Sequence, residues 1–180
     1  MDIDVSNIKI SCKAQLFNSD NISFNRDIFI KKYNNFNVIR NKYAYIIFTK
    51  SKNQTKKFHV NITKIPSFDH VPKAIEELKN IIENPFSVEQ ISIENITCLH
   101  ILNKEINLIE IFKNVLSSNF SKDIIHMRYN PEKFPGMFIK LRKCSILLFS
   151  SGKMVVIGAT TKEDAKNGIF FVINMVKTYI

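Results

Sequence analysis

Apolar and polar positions along the chain follow two periods, and the two occur in the same order twice. Period-two alternation opens each half, at residues 6–16 and again at 93–102, and predicts a half-buried strand in both places. A helical stretch follows each strand. It is weak at residues 25–32 and clearer at 108–116, where Leu108, Ile109, Ile111, Phe112, Val115 and Leu116 fall on one apolar face. Strand-rich blocks with lysine-bearing turns come next, at 36–65 and 134–159. Each half then closes on an amphipathic helix. The first is expected over 71–83, with Asp69 ahead of it, Pro72 in its opening turn and Ala74, Ile75, Leu78, Ile81 and Ile82 on its apolar side. The second runs from 162 to the end, behind the capping box Thr160-x-x-Glu163, and buries Ile169, Phe170, Val172, Ile173 and Val176.

The pattern is therefore strand, helix, several strands, helix, stated twice, with residues 85–89 as the joint between repeats at 1–87 and 88–180. Two such units with antiparallel strands form an α+β fold: one shared sheet, four helices over one face, the other face open. An open sheet face carrying apolar residues either binds something or aggregates.

Composition narrows the function classes. The net charge is +10, with 14 Lys and Arg against 8 Asp and Glu in residues 1–87 and 12 against 8 in 88–180, so the excess is spread along the fold and is not a basic tail. That balance suits a polyanion, although a coding bias toward Lys, Asn and Ile produces it equally well. Three cysteines without a C-x-x-C spacing argue against a disulfide framework or structural zinc site and suit a reducing compartment. No apolar run is long enough to span a membrane, and the acidic opening residues do not read as a signal peptide. The four His have no ligand spacing, and no nucleophile–base set, paired carboxylates or phosphate-cradling glycine loop stands out. An enzyme, a cofactor, a metal site and a small-molecule substrate are accordingly not expected.

The informative residues lie late in the chain. Tyr129-Asn-Pro-Glu-Lys-Phe-Pro-Gly136 places Phe134 at a turn, and the β-prone run from Ser145 to Gly158 places Phe149 before a Ser-Gly-Lys turn. Tyr129, Pro131, Phe134, Pro135, Gly136, Phe149, Ser151, Gly152, Lys153, Gly158 and Ala159, in this order, resemble the core of the TATA-binding protein family. The close match covers about a fifth of the chain, and the repeat extends it loosely to all of it. The resemblance implies a saddle, a curved sheet on the DNA minor groove with four helices on the convex back. The family is itself the standing example of minor-groove wedging and kinking. In that groove A·T and T·A present the same acceptors, so selectivity rests on deformability, width and exclusion of the guanine amino group.

Carried over by position, Phe134 and Phe149 correspond to the wedge pair of the second repeat, with Pro135 behind the first of them. Asn95 and Asn7 correspond to the central asparagines, and Lys9 and Thr97 stand two residues after them, where the family has small apolar residues. Leu147, Val155 and Ile157 would face the bases, and Lys140 and Lys153 the phosphates. Phe36 and Phe48 are the wedge candidates of the first repeat, 12 residues apart against 15 in the second. That repeat has the basic loop 50–57 in place of Ser-Gly-Lys. The stirrup Tyr129, Asn130, Glu132 and Lys133 would meet a B-type initiation factor, with an acidic residue kept only at Glu132.

The resemblance implies a transcription initiation factor that binds and bends A·T-rich double-stranded promoter DNA and recruits the RNA polymerase machinery. Its place would be the nucleus, or a cytoplasmic replication site if the chain is viral. Two other readings stay open: a saddle-fold interaction module with weak or partner-dependent DNA binding, and an accessory nucleic-acid-binding domain of a repair or RNA-cleaving enzyme.

Overall fold

The computed structural model describes residues 5–18, 38–40, 45–48, 57–81, 86–115 and 117–179. The described residues form two compact units, Lys9–Glu94 and Met1–Ile8 with Asn95–Ile180. Residues of β1 (Ser6–Asn18) and of β5 (Phe86–Ile101) belong to both units.

In the unit Lys9–Glu94 the strand order is β2 (Val38–Arg40), β3 (Tyr45–Phe48), β4 (Lys57–Ile65), β1, all antiparallel. Ile10, Cys12 and Ala14 of β1 and Val60, Ile62 and Ile65 of β4 are buried. Helix α1 (Val71–Ile81) buries Ala74 and Leu78, spaced one turn apart. A short 3₁₀ turn, Phe68–His70, leads into it, so Asp69 sits inside that turn. The helix expected at 25–32 lies outside the described residues, which contain three α-helices.

The other unit has the order β5, β9 (Lys153–Ala159), β8 (Ser145–Leu148), β7 (Phe134–Lys140), β6 (His126–Asn130), again antiparallel. Burial alternates as the pleat requires. Ile96, Cys98, Met154, Val156, Ile146, Leu148, Met137, Ile139 and Met127 are buried on the face covered by helices, and their neighbours in sequence turn to the open face. Helix α2 (Leu108–Val115) packs beside β6, and helix α3 (Lys162–Lys177) lies over β8 and β9. Helix α3 buries Ile169, Val172, Ile173 and Val176, each worth about 1.5–3 kcal/mol. Gly168 within it costs only about 0.5–1 kcal/mol of propensity. A Cβ there would come within 2.4 Å of the Cys144 Sγ, so glycine lets the helix approach the sheet.

Several expectations are corrected. The cap of α3 is Thr161, whose side chain accepts from the Asp164 N–H, and not Thr160. The joint expected at 85–89 is strand from Phe86 onward. Strand β6 lies outside the strand-rich block expected at 134–159. Ile109 and Phe170, expected on buried helix faces, are 53% and 46% exposed, because each lies about 100° around the helix from its buried neighbours. Asn107 caps α2: its Oδ1 accepts from the Glu110 N–H at 3.2 Å and its Nδ2 donates to the Glu110 carboxylate.

Candidate nucleic-acid interface

On the open face of the second unit, strand register aligns one row of side chains. Leu99 pairs with Val155, Val155 with Leu147, Leu147 with Phe138 and Phe138 with Arg128. The first four are half-buried and the last is exposed. Ile157, 38% exposed, stands beside this row. Lys140 and Lys153, both exposed, share the parity of the row and so turn toward the same face.

Two turns bring Phe134 and Phe149 together on that face. Asn130 to Lys133 form a turn closed by the Lys133 N–H donating to the Asn130 carbonyl at 3.1 Å, with Pro131 in the position its fixed φ suits. Phe134 then begins β7. Phe149 leaves β8, and the turn after it closes through the Gly152 N–H to the Phe149 carbonyl at 3.0 Å. Gly152 has φ +80, the left-handed conformation that closes such a hairpin. Its missing Cβ also admits the loop after β5, since one would lie 2.5 Å from the Lys104 carbonyl oxygen. Leu102 N–H and Ile106 N–H donate to the carbonyls of Gly152 and Ser150, which clamps the Ser-Gly-Lys turn from outside.

The rings of Phe134 and Phe149 meet edge to face with centroids 5.8 Å apart. Gly136 is the floor beneath them. A Cβ at that position would stand 2.7 Å from Phe134 Cε1 and 3.0 Å from Phe149 Cε1. Phe134 remains 45% exposed, an apolar cost that the ring pair, at about 0.5–1.5 kcal/mol, offsets only in part. Pro135 beside it is exposed.

Asn95 is held by the backbone. Its Oδ1 accepts from the Gly158 N–H at 2.7 Å, and its Nδ2 donates to Thr97 Oγ1 at 3.3 Å. Because an N–H can only donate, the carbonyl end of the amide must face Gly158, which fixes the orientation of the side chain. Gly158 lies in a β-bulge. Ile96 pairs with Ala159 and Cys98 with Val156, so two residues of β9 oppose one of β5, and Gly158 adopts φ +81.

The same bulge recurs in the other unit. Ile10 pairs with Ile65 and Cys12 with Ile62, and Lys64, with φ 62, takes the place of Gly158. This register makes Lys9 the counterpart of Asn95, Ser11 that of Thr97, and Ile93 that of Asn7. The pairing of Asn7 with Asn95 expected from sequence is two residues out. Lysine carries no acceptor, so Lys9 cannot reproduce the bond from Asn95 to the bulge. Lys9 is exposed, as is Asn7, which has φ 49.

Among the stirrup residues Asn130, Glu132 and Lys133 are exposed, while the Tyr129 ring packs edge-on against Phe112 of α2 at 6.2 Å. Phe36 lies outside the described residues. Phe48 ends β3, and its side chain lies outside them too. Leu99, Phe138 and Arg128 were missed in the sequence, although Phe138 has the parity of Phe134 and could have been found from it. Among the described residues no group of three His, Cys, Asp or Glu side chains could hold a metal.

A half-apolar sheet face bearing cations and an aromatic pair suits a flat, anionic ligand, as in nucleic-acid-binding proteins. Comparison with known proteins agrees. Residues 90–179 match the family model described as transcription factor TFIID (or TATA-binding protein, TBP). The TATA-box-binding protein of Methanocaldococcus jannaschii is 32% identical over 146 residues, 76% of this chain and 69% of that one. That of Thermococcus kodakarensis is 36% identical over 90 residues, 49% of this chain and 43% of that one. The solved structure of Methanococcus jannaschii TBP shares the fold, with a TM-score of 0.64 at 23% identity over 99% of both chains. The chain belongs to the TATA-binding protein family, whose members are DNA-binding transcription factors without enzymatic activity.

Proposed function

We propose that this protein is a transcription initiation factor that binds A·T-rich promoter DNA through the minor groove and bends it. The observation that carries the reading is the aromatic pair beside the apolar row, two rings held on a glycine floor by two independently closed turns. Apolar side chains at Leu147, Val155 and Ile157 lie against sugars and base edges and reject the guanine amino group, which would lose its hydrogen bonds there. Phe134 and Phe149 enter a base step, which costs a few kcal/mol of unstacking. Lys140 and Lys153 take phosphates. Asn95 and Thr97 supply donors to groove acceptors, and Asn7 and Lys9 act as polar contacts of different chemistry in the divergent repeat. Phe36 and Phe48 remain the candidates for the other wedge.

The exposed turn of Asn130, Glu132 and Lys133 is the surface for a B-type initiation factor and, through it, the polymerase machinery. With one acidic residue beside one lysine, this contact is less acidic than a carboxylate-rich stirrup would be.

A bend assay by FRET on a doubly labelled A·T-rich duplex tests the reading. Wild type is expected to shorten the end-to-end distance, with Phe134→Ala and Phe149→Ala each reducing the change. No bending by wild type, or bending that neither substitution alters, would refute it.

A further inference from the structure

Arg128 is the one member of the open-face row that is neither apolar nor anticipated. It lies on β6, the last strand of this unit's sheet, where Met127 is buried on the covered face and Arg128 pairs with Phe138 on the open one. With Asn130, Lys133, Phe134 and Phe138 it lines a concavity beside the ring pair. Its neighbours along the row, Phe138, Leu147, Val155 and Leu99, have no side-chain acceptor, and no described carboxylate forms an ion pair with it. A guanidinium left exposed at the margin of an apolar face is suited to an anion brought by whatever covers that face.

Resting on the DNA-binding reading above, we infer that Arg128 is a phosphate-binding residue of this protein. The apolar row takes the groove floor and the sugars, so the charged end of the row meets the backbone that flanks them. The planar fork of Arg matches two phosphate oxygens at once. The contact lies beside the step that Phe134 would open, so it fixes the position of the strand being unstacked without reading its bases.

The test is binding to an A·T-rich duplex by fluorescence anisotropy across a salt series, with the bend read by FRET in parallel. Arg128→Ala should reduce the slope of log affinity against log salt by about 0.9 while binding weakens alike on different A·T-rich sequences. Arg128→Lys should keep the slope, since the charge remains. The bend should persist in both. An unchanged slope in Arg128→Ala would overturn the inference, as would a loss confined to one sequence, which would mark a base contact. An acidic protein segment as the true occupant would also appear as an unchanged slope. If Arg128→Ala does not fold, Arg128→Gln carries the same comparison with a longer side chain. Wild type that fails to bind duplex would sink the DNA-binding reading and this inference together, whereas a binding wild type with an unchanged variant slope sinks this one alone.

Discussion

The amide oxygen of Asn95 accepts the Gly158 N–H at 2.7 Å, at the one point where β9 has a residue more than β5. A bulged N–H has no place in the ladder, and the Asn95 side chain supplies the missing acceptor. The same bond turns the amino end of the side chain toward Thr97 and the open face. One residue thus completes the backbone and presents donors to a ligand.

These two roles separate by substitution. Asn95→Asp keeps an acceptor for Gly158 and removes the donors, so stability should change little while affinity for A·T-rich duplex falls. Asn95→Ala loses both and should also cost about 0.5–1.5 kcal/mol of stability. Urea titration beside duplex binding distinguishes them, and equal loss of binding and stability in the Asp variant would contradict the division.

Gly136 sets the geometry of the aromatic pair. Gly136→Ala should push the rings apart, because its Cβ would lie within 2.7 Å of Phe134 Cε1, and Phe134 is exposed enough to move. The fold should survive with a Tm within a few degrees, since the atoms met are the edges of two side-chain rings and not backbone. The FRET bend should drop toward that of Phe134→Ala. A bend equal to wild type would mean that the ring arrangement is irrelevant to kinking.

Lys64 and Gly158 occupy the same left-handed bulge position, and only one is glycine. A left-handed non-glycine residue costs about 1–2 kcal/mol. Lys64→Gly should therefore be more stable than Lys64→Ala, a comparison in which both variants lose whatever the lysine side chain contributes. Gly158→Ala should destabilise by a similar amount through φ alone, because nothing lies within 4 Å of an added Cβ. Chemical denaturation measures all three, and identical stabilities at position 64 would refute the strain.

The three cysteines are free and buried, and burial pushes each thiol up to about 11, with Cys144 also raising Cys98 and Asp164 also raising Cys144. At pH 8 such a thiol is roughly one part in a thousand thiolate, so a disulfide reagent should not label the native protein within minutes and should label all three sites in urea. The folded state holds protons that the unfolded chain releases. Stability from this source is complete below the ordinary thiol pKa and falls as pH rises toward 11. Urea midpoints at pH 8 and 10.5, for wild type and Cys144→Ala, check the sign. A smaller alkaline loss is expected in the variant.

Much of this was legible in the chain because the two periods are physical. The alternation that reads as strand at 6–16 and 93–102 is the alternation of burial seen in β1 and β5, and the 3.6-residue pattern found Ala74 and Leu78 of α1 and Ile169, Val172, Ile173 and Val176 of α3, while Ile75 is half-buried and the side chains of Ile81 and Ile82 lie outside the described residues. What failed did so for identifiable reasons. Strand β6 has one buried apolar residue, Met127, and polar residues on its exposed side, so an edge strand had no hydrophobic signature. Thr160 and Thr161 both precede acidic residues, and only backbone geometry selects the cap. In an asparagine-rich chain the shared residue type pairs Asn7 with Asn95, whereas hydrogen-bond register pairs Asn95 with Lys9. Gly136 could be noted as a glycine but not as the floor of two rings that converge from separate hairpins.

The extra residue in β4 and β9 also resets the phase of each strand. In β9, Val155 and Ile157 turn to the open face, and an unbroken pleat would send Ala159 there as well. With Gly158 inserted, Ala159 is fully buried. In β4, Ile65 is buried after Asn61 and Thr63 turn the other way, with Lys64 as the odd residue. Each strand ends on the side where its helix must begin, so removing that single residue would invert the handover. α3 after Ala159, and α1 after Ile65, would start from the wrong side of the sheet.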